Sequence, residues 1–282
     1  MAITPTRTHT LDVSGARLYY EVRGTGPLLL LMGSPMDAAA FAPLADTLAA
    51  DRTVVTLDPR GISGSVLDDP EQESTPDLRA DDVAALLDAL GAERADVFGS
   101  SGGAVTGLAL VARHPGRVRT LVAHEPPLLE LLPDAAAHRA DTEDIIETFH
   151  RDGVGAAWAV FMANAGLDHD GDGAPTAPPQ EPSSQEPSAR DLANSARFFA
   201  HELRGTTRYL PDLPALMSGA TRVVIGIGVE SGGLLTYRTS VALAELLDAP
   251  PVHFPGDHGG FVGRPEEFAD TLRKILTQDA AH

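Results

Sequence analysis

The stretch 99-GSSGG-103 holds the residues whose types and spacing point most directly to chemistry. It fits G-x-S-x-G with Ser101 at the centre; the frame centred on Ser100 fails because Phe98 takes the first glycine position. In that pattern the serine sits on a sharp strand-to-helix turn, crowded enough that its neighbours must be small. The turn lifts the hydroxyl above the sheet. Free N–H groups at the start of the helix behind it then face any negative charge that develops there. The implied chemistry is attack by Ser101 on a carbonyl carbon, through a covalent acyl intermediate.

A serine hydroxyl needs a base. Among ten histidines, His9 and His253 fall within strand patterns, and His114 ends a helix before Pro115. His138, His150, His169 and His201 fall in a middle region, and His282 is the last residue. His258 lies in the glycine-flanked loop 256-GDHGGF-261, just after the last strand pattern. Parallel strands share one carboxyl edge, so that loop reaches the edge that carries Ser101. A third group must orient the imidazole. Glu125 in 123-AHEPPL-128 and Glu230 in 228-GVESGG-233 both follow strands, and position alone leaves both open. His124-Glu125 also begins like the zinc pattern H-E-x-x-H. That reading fails, because Leu128 stands at the second histidine and Pro126-Pro127 oppose a helix.

The elements that must hold these residues alternate along the chain. Strand patterns fall at 8–13, 17–22, 28–32, 53–58, 95–99, 118–123, 222–228 and 252–254. Helical patterns fall at about 38–50, 76–90, 102–113, 236–248 and 265–277, with Pro115 stopping the third and Pro265 opening the last. Alternation of this kind implies an α/β fold, a mostly parallel central sheet with helices on both faces. Residues 126–215 interrupt it with helical patterns near 141–166 and 189–204. Between them lies a Pro-, Gly-, Ser- and acid-rich stretch, 168–190, that reads as a flexible loop. Within it, Asp168, Asp170, Asp172 and Gly173 match the start of a calcium loop, but Pro179 stands where the bidentate glutamate belongs.

Composition narrows the classes. Hydrophobic residues make up 43 % of the 282, enough for a sizeable core. There is no cysteine, which excludes disulfides, thiolate metal sites and thiol nucleophiles. The net charge of −19 opposes nucleic acid and anionic membranes as partners. No run of about 18 apolar residues is present and the N-terminal segment lacks a signal-peptide pattern, so a cytoplasmic protein is the expectation. No phosphate-cradling or dinucleotide glycine pattern occurs, and neither cofactor nor metal is expected.

With serine, acid and histidine each following a strand, in that order along the chain, the sequence resembles the α/β-hydrolases along nearly its whole length. The loop 32-MGSPM-36 matches that family's H-G-x-P loop with Met32 in place of histidine, and 58-DPRGISGS-65 matches its D-x-R-G-x-G-x-S turn with Ser63 in place of the second glycine. The resemblance implies an oxyanion hole made by the backbone N–H groups of Ser34 and Gly102. It implies a core of 1–125 and 216–282, with 126–215 as a helical lid inserted between the sixth and seventh strands. The G-T-G-P segment, the serine elbow and H-E-x-P are similar to the zearalenone-type lactone hydrolases, which implies Glu125 rather than Glu230 as the acid. Trp158, Phe161, Phe198 and Phe199 become candidate pocket walls, although packing between lid helices accounts for them equally well. The activity implied is hydrolysis of a small-molecule ester or lactone. Other serine chemistry on this scaffold (C–C bond hydrolysis or perhydrolysis) and a non-catalytic binding protein are the alternatives.

Overall fold

A computed structural model describes residues 5–167 and 187–277. Its strands are β1 (Arg7–Val13), β2 (Ala16–Arg23), β3 (Leu28–Met32), β4 (Thr53–Leu57), β5 (Val66–Leu67), β6 (Ala95–Ser100), β7 (Val118–His124), β8 (Arg222–Gly228) and β9 (Val252–Phe254). Its helices are α1 (Ala42–Leu48), α2 (Pro76–Ala89), α3 (Gly102–Arg113), α4 (Ala135–Asp152), α5 (Val154–Ala165), α6 (Ala189–His201), α7 (Leu203–Thr207), α8 (Leu213–Ser218), α9 (Leu235–Leu246), α10 (Gly260–Gly263) and α11 (Pro265–Thr277). The strands form one sheet in the order β1-β2-β4-β3-β6-β7-β8-β9, with the two-residue β5 beside β2. From β4 to β9 every pairing is parallel; β1 and β2 add antiparallel pairs at one side.

The run 28-LLLLM-32 shows why the sheet sits in the middle. Successive strand residues point to opposite faces. Leu30 therefore packs with Val55, Val97, Leu121 and Ile225 beneath α2, α3 and α9. Leu29 and Leu31 pack with Val54, Phe98 and Val122 beneath α1 and α11. Both faces are covered, so a strand apolar at every position is stable there, each buried leucine contributing about 2 kcal/mol.

Between β7 and β8 the chain leaves the sheet and returns. Helices α4 to α7 of this insertion share a small apolar cluster of their own, built from Ile145, Ile146, Ala157, Phe198, Phe199 and Leu203. The helical pattern expected over 141–166 is two helices beginning at Ala135. Gly153, at φ 88°, turns the chain between them, a conformation open to glycine and costly for other residues. The pattern at 38–50 is also divided, into a 3₁₀ turn at Ala38–Phe41 leading into α1, which ends at Leu48. Helix α6 enters the expected loop by two residues, its start fixed by a capping box between Ser188 and Asp191. The last helix of the insertion, α8, joins the main core through Leu216. The calcium-like residues Asp168–Gly173 lie outside the described residues. Among the described residues, no helix is long and apolar enough to cross a membrane.

Candidate active site

The register of the parallel strands sets the site. Met32 pairs with Gly99, Ser100 with His124, and His124 with Gly226, so β3, β6 and β7 end within a residue of one another and β8 runs two residues further, to Gly228. The loops that leave this edge carry Ser34, Ser101, Glu125 and, after β9, His258.

Ser101 caps α3 at φ 56° and ψ −125°. Such a backbone costs a non-glycine residue roughly 1–3 kcal/mol. The surrounding glycines are required by space. A Cβ on Gly99 would lie 2.5 Å from Gly103 O, one on Gly103 would lie 2.3 Å from Met32 O, and one on Gly102 would lie 2.9 Å from Ser34 Cβ. The first intrahelical bond runs from Ala104 N–H to Ser101 O at 2.9 Å, which leaves the Gly102 N–H ahead of the helical ladder.

Glu125 is the second residue at this edge with a left-handed backbone, at φ 49°. It is fully buried, and all its carboxylate partners converge from the sheet edge. Oε1 accepts from Gly228 N–H at 2.8 Å; Oε2 accepts from Thr236 Oγ1 at 3.0 Å and from His258 Nδ1 at 2.7 Å. Burial alone would raise this carboxyl. The hydrogen bond from His258 and the coulombic interactions with the imidazoles of His124 and His258 outweigh burial and lower it to about 2. An ionised carboxylate can only accept, so Nδ1 of His258 carries a proton in this bond.

Ser101 and His258 line one cavity of about 220 Å³, together with Ser34 and Gly102. Among the described residues the Ser101 hydroxyl and the His258 ring share that wall without a mutual hydrogen bond. Trp158, Phe161 and Phe198 line the opposite, insertion side. Trp158 and Phe198 stack at 5.7 Å, and Trp158 Nε1 donates to Ser195 Oγ at 3.0 Å. Phe199 is placed differently from its expected wall position. It is fully buried behind these rings, 4.9 Å from Trp158 and 5.8 Å from Phe149 by ring centroid, and fills the interior of the insertion. Glu230 points elsewhere too, into an exposed pair with Arg264 at 2.7 Å.

Residues 26–221 match the family described as alpha/beta hydrolase fold. The chain belongs to the α/β-hydrolase family. It is 36 % identical over 280 residues to an uncharacterized hydrolase, YraK, of Bacillus subtilis, covering 97 % of each chain. It is 27 % identical to a zearalenone hydrolase of Cladophialophora bantiana, covering 98 % of this chain and 100 % of that one. Its fold is similar to that of a thermophilic esterase from Thermogutta terrifontis, with a TM-score of 0.74 at 18 % identity over 96 % of this chain and 98 % of the other.

Two departures from the α/β-hydrolase patterns have physical accounts. Ser63, in the second glycine position of the D-x-R-G turn, takes φ 50° and is held there by Asn194 of α6, whose Oδ1 accepts from Ser63 N–H and whose Nδ2 donates to Ser63 Oγ, both at 2.8 Å. Met32, in the histidine position, is buried in the core. The loop it would support is tied instead by Ser34 Oγ, which donates to Glu202 Oε2 at 2.7 Å. No sequence pattern marked Glu202. His124 was visible in the sequence only as half of a failed zinc motif and as the first residue of H-E-x-P, neither of which gave it a role of its own. It is fully buried beneath His258, ring centroids 6.2 Å apart, hydrogen-bonded through Nδ1 to Ser100 Oγ at 3.1 Å. Burial pushes its imidazole down to about 4, so it is neutral at pH 7. Among the described residues no three His, Asp or Glu side chains are grouped to hold a metal ion.

Proposed function

We propose that this hydrolase cleaves an uncharged carboxylic ester or lactone through Ser101, His258 and Glu125. The observation that carries the reading is the 2.7 Å bond from His258 Nδ1 to a buried, ionised Glu125 beside a strained Ser101 on the same cavity. In the reaction, Ser101 Oγ attacks the carbonyl carbon as His258 Nε2 takes its proton. The oxyanion rests on the N–H groups of Ser34 and Gly102, each such donor worth about 3 kcal/mol. The intermediate collapses, and His258 returns the proton to the leaving alkoxide. In a lactone that alkoxide stays tethered to the acyl group. Water, deprotonated by His258, then attacks the acyl carbon and releases Ser101 and the acid.

The substrate class follows from the walls. The cavity is lined largely by apolar and aromatic side chains, and its ionisable lining residues are His138, Asp141 and His258. No lysine or arginine lines it among the described residues, and the remaining residues of the chain contain none. A substrate carboxylate would meet Asp141 with no lysine or arginine in the wall to balance it, in a protein of net charge −19. A neutral substrate with an aromatic or alicyclic body fits instead, in keeping with the similarity to a zearalenone hydrolase. The helices between β7 and β8 then serve as the lid that closes over it.

An active-site fluorophosphonate tests the nucleophile. Stoichiometric labelling of the wild type, absent in Ser101→Ala together with a loss of at least about 10⁴-fold in kcat, supports the proposal. An unlabelled wild type that still binds apolar esters would mark a binding protein and end it.

A further inference from the structure

Glu202 lies where α6 meets α7, fully buried and outside the cavity lining. Its Oε2 accepts from Ser34 Oγ at 2.7 Å and sits 3.5 Å from a guanidinium nitrogen of Arg79. Arg79 is buried as well. It donates to Ser74 O at 2.8 Å, to Thr206 Oγ1 at 2.8 Å and, through Nε, to Thr106 Oγ1 at 3.0 Å. Thr106 Oγ1 in turn donates to Gly102 O at 3.0 Å. One hydroxyl accepting from Arg79 and donating to Gly102 is a consistent arrangement, and so is Ser34 donating to a carboxylate.

A continuous polar chain thus runs from Ser34 through Glu202, Arg79 and Thr106 to Gly102. Its two ends are the residues whose N–H groups are assigned to the oxyanion. The arrangement is costly. Two charges are withdrawn from water, and Glu202 Oε1 has no partner among the described residues. An apolar pair of similar volume would be the cheaper way to fill this space.

We infer that Glu202 is a positioning residue for the oxyanion loop: it holds the Ser34 side chain, and through it the Ser34 N–H, at a fixed offset from Gly102. The inference rests on the Ser101 reading above. Because Glu202 belongs to the insertion, the hole is completed by the region that also forms the pocket wall. A donor aimed at an oxyanion acts mainly in the transition state, so its misplacement lowers kcat and leaves KM nearly unchanged.

The test compares Ser34→Ala, Glu202→Gln, Glu202→Ala and the Ser34→Ala/Glu202→Ala double variant on a p-nitrophenyl ester, with kcat and KM read separately. Ser34→Ala leaves the Arg79–Glu202 pair intact, so it reports even where Glu202→Ala fails to fold. We expect Ser34→Ala and Glu202→Ala each to lower kcat roughly 10- to 100-fold, with KM within about 2-fold of wild type. The double variant should fall no further than the worse single. Glu202→Gln, which still offers Ser34 an acceptor, should recover most of kcat. A Ser34→Ala enzyme with wild-type kcat, or losses that multiply in the double variant, would overturn the inference. A wild type that neither turns over the ester nor takes the fluorophosphonate label removes the Ser101 reading and this inference with it. A fully active wild type with unaffected variants removes this inference alone.

Discussion

A methyl group added at Gly103 would lie 2.3 Å from Met32 O, whereas one added at Gly155, in the insertion helix α5, would meet nothing within 4 Å. The contrast extends to the functional side chains. At the sheet edge Ser101 and Glu125 hold strained backbones and fixed hydrogen bonds. In the insertion, Trp158, Phe161 and Phe198 meet through ring contacts of 5.2–5.7 Å that other apolar residues could replace. The groups assigned to the chemistry under the proposed function are thus placed by backbone sterics, which tolerate little. The walls are placed by packing, which tolerates exchange at similar volume. Reaction type and substrate preference should respond to separate sets of substitutions.

The sharpest way to break this contrast is at the two acids. Glu125→Gln should lower kcat about 10³-fold, because the neutral amide no longer stabilises the His258 cation or its tautomer. Glu230→Gln should stay within about 2-fold of wild type, since it loses only an exposed pair with Arg264. The reverse ranking in ester kinetics would assign the edge wrongly. Next, Gly103→Ala should cost about 3 kcal/mol of unfolding free energy, its Cβ being forced against backbone. Gly155→Ala should be neutral or stabilising by up to about 1 kcal/mol, read by urea titration.

On the wall, Phe161→Ala should raise KM for an aromatic ester roughly 5-fold with kcat within about 3-fold, and leave a short acetyl ester nearly unchanged. A large kcat loss there would mean that the insertion takes part in the chemistry through this ring. The contrast also shows in the pH profile of stability. The His124 pKa is lowered from 6.5 to about 4 by burial, so the unfolded chain binds that proton first as pH falls. Glu125 is lowered from 4.5 to about 2, so the unfolded chain again takes the proton first. Both contributions to stability are complete above about pH 6.5 and are lost on acidification, His124 between 6.5 and 4 and Glu125 between 4.5 and 2. Thermal melting should therefore fall across that range, with a shallower slope between pH 6.5 and 4 in His124→Phe.

Much of the edge was legible because its signals are local. Gly99, Gly102 and Gly103 surround one serine, and each is demanded by an atom within 3 Å. Glu125 follows directly on β7 and His258 lies in the loop that leaves β9, so an alternating pattern placed both at the edge that carries Ser101. Other features were not legible. Gly153 reads as one small residue in a helical run, and only its backbone angle shows two helices. Phe198 and Phe199 are adjacent and chemically alike, yet one lines the cavity and the other fills the insertion interior. Their difference is a rotation about the helix axis fixed by what α4 and α5 bring against α6.

The sequence by itself determined the order of strands and helices, the turn that carries Ser101, and the loops that carry Glu125, Glu230 and His258. Those depend on short-range sterics and on periodicity, which a linear chain displays. Position along the chain left Glu125 and Glu230 both open and the resemblance favoured Glu125; only the tertiary structure hydrogen-bonded Glu125 to His258, buried His124 beneath that ring, and brought Glu202 to Ser34 across 168 residues of chain. Those pairings are hydrogen bonds and ring contacts between distant segments. Their energy depends on distance and direction in space, and spacing along the chain carries no record of either.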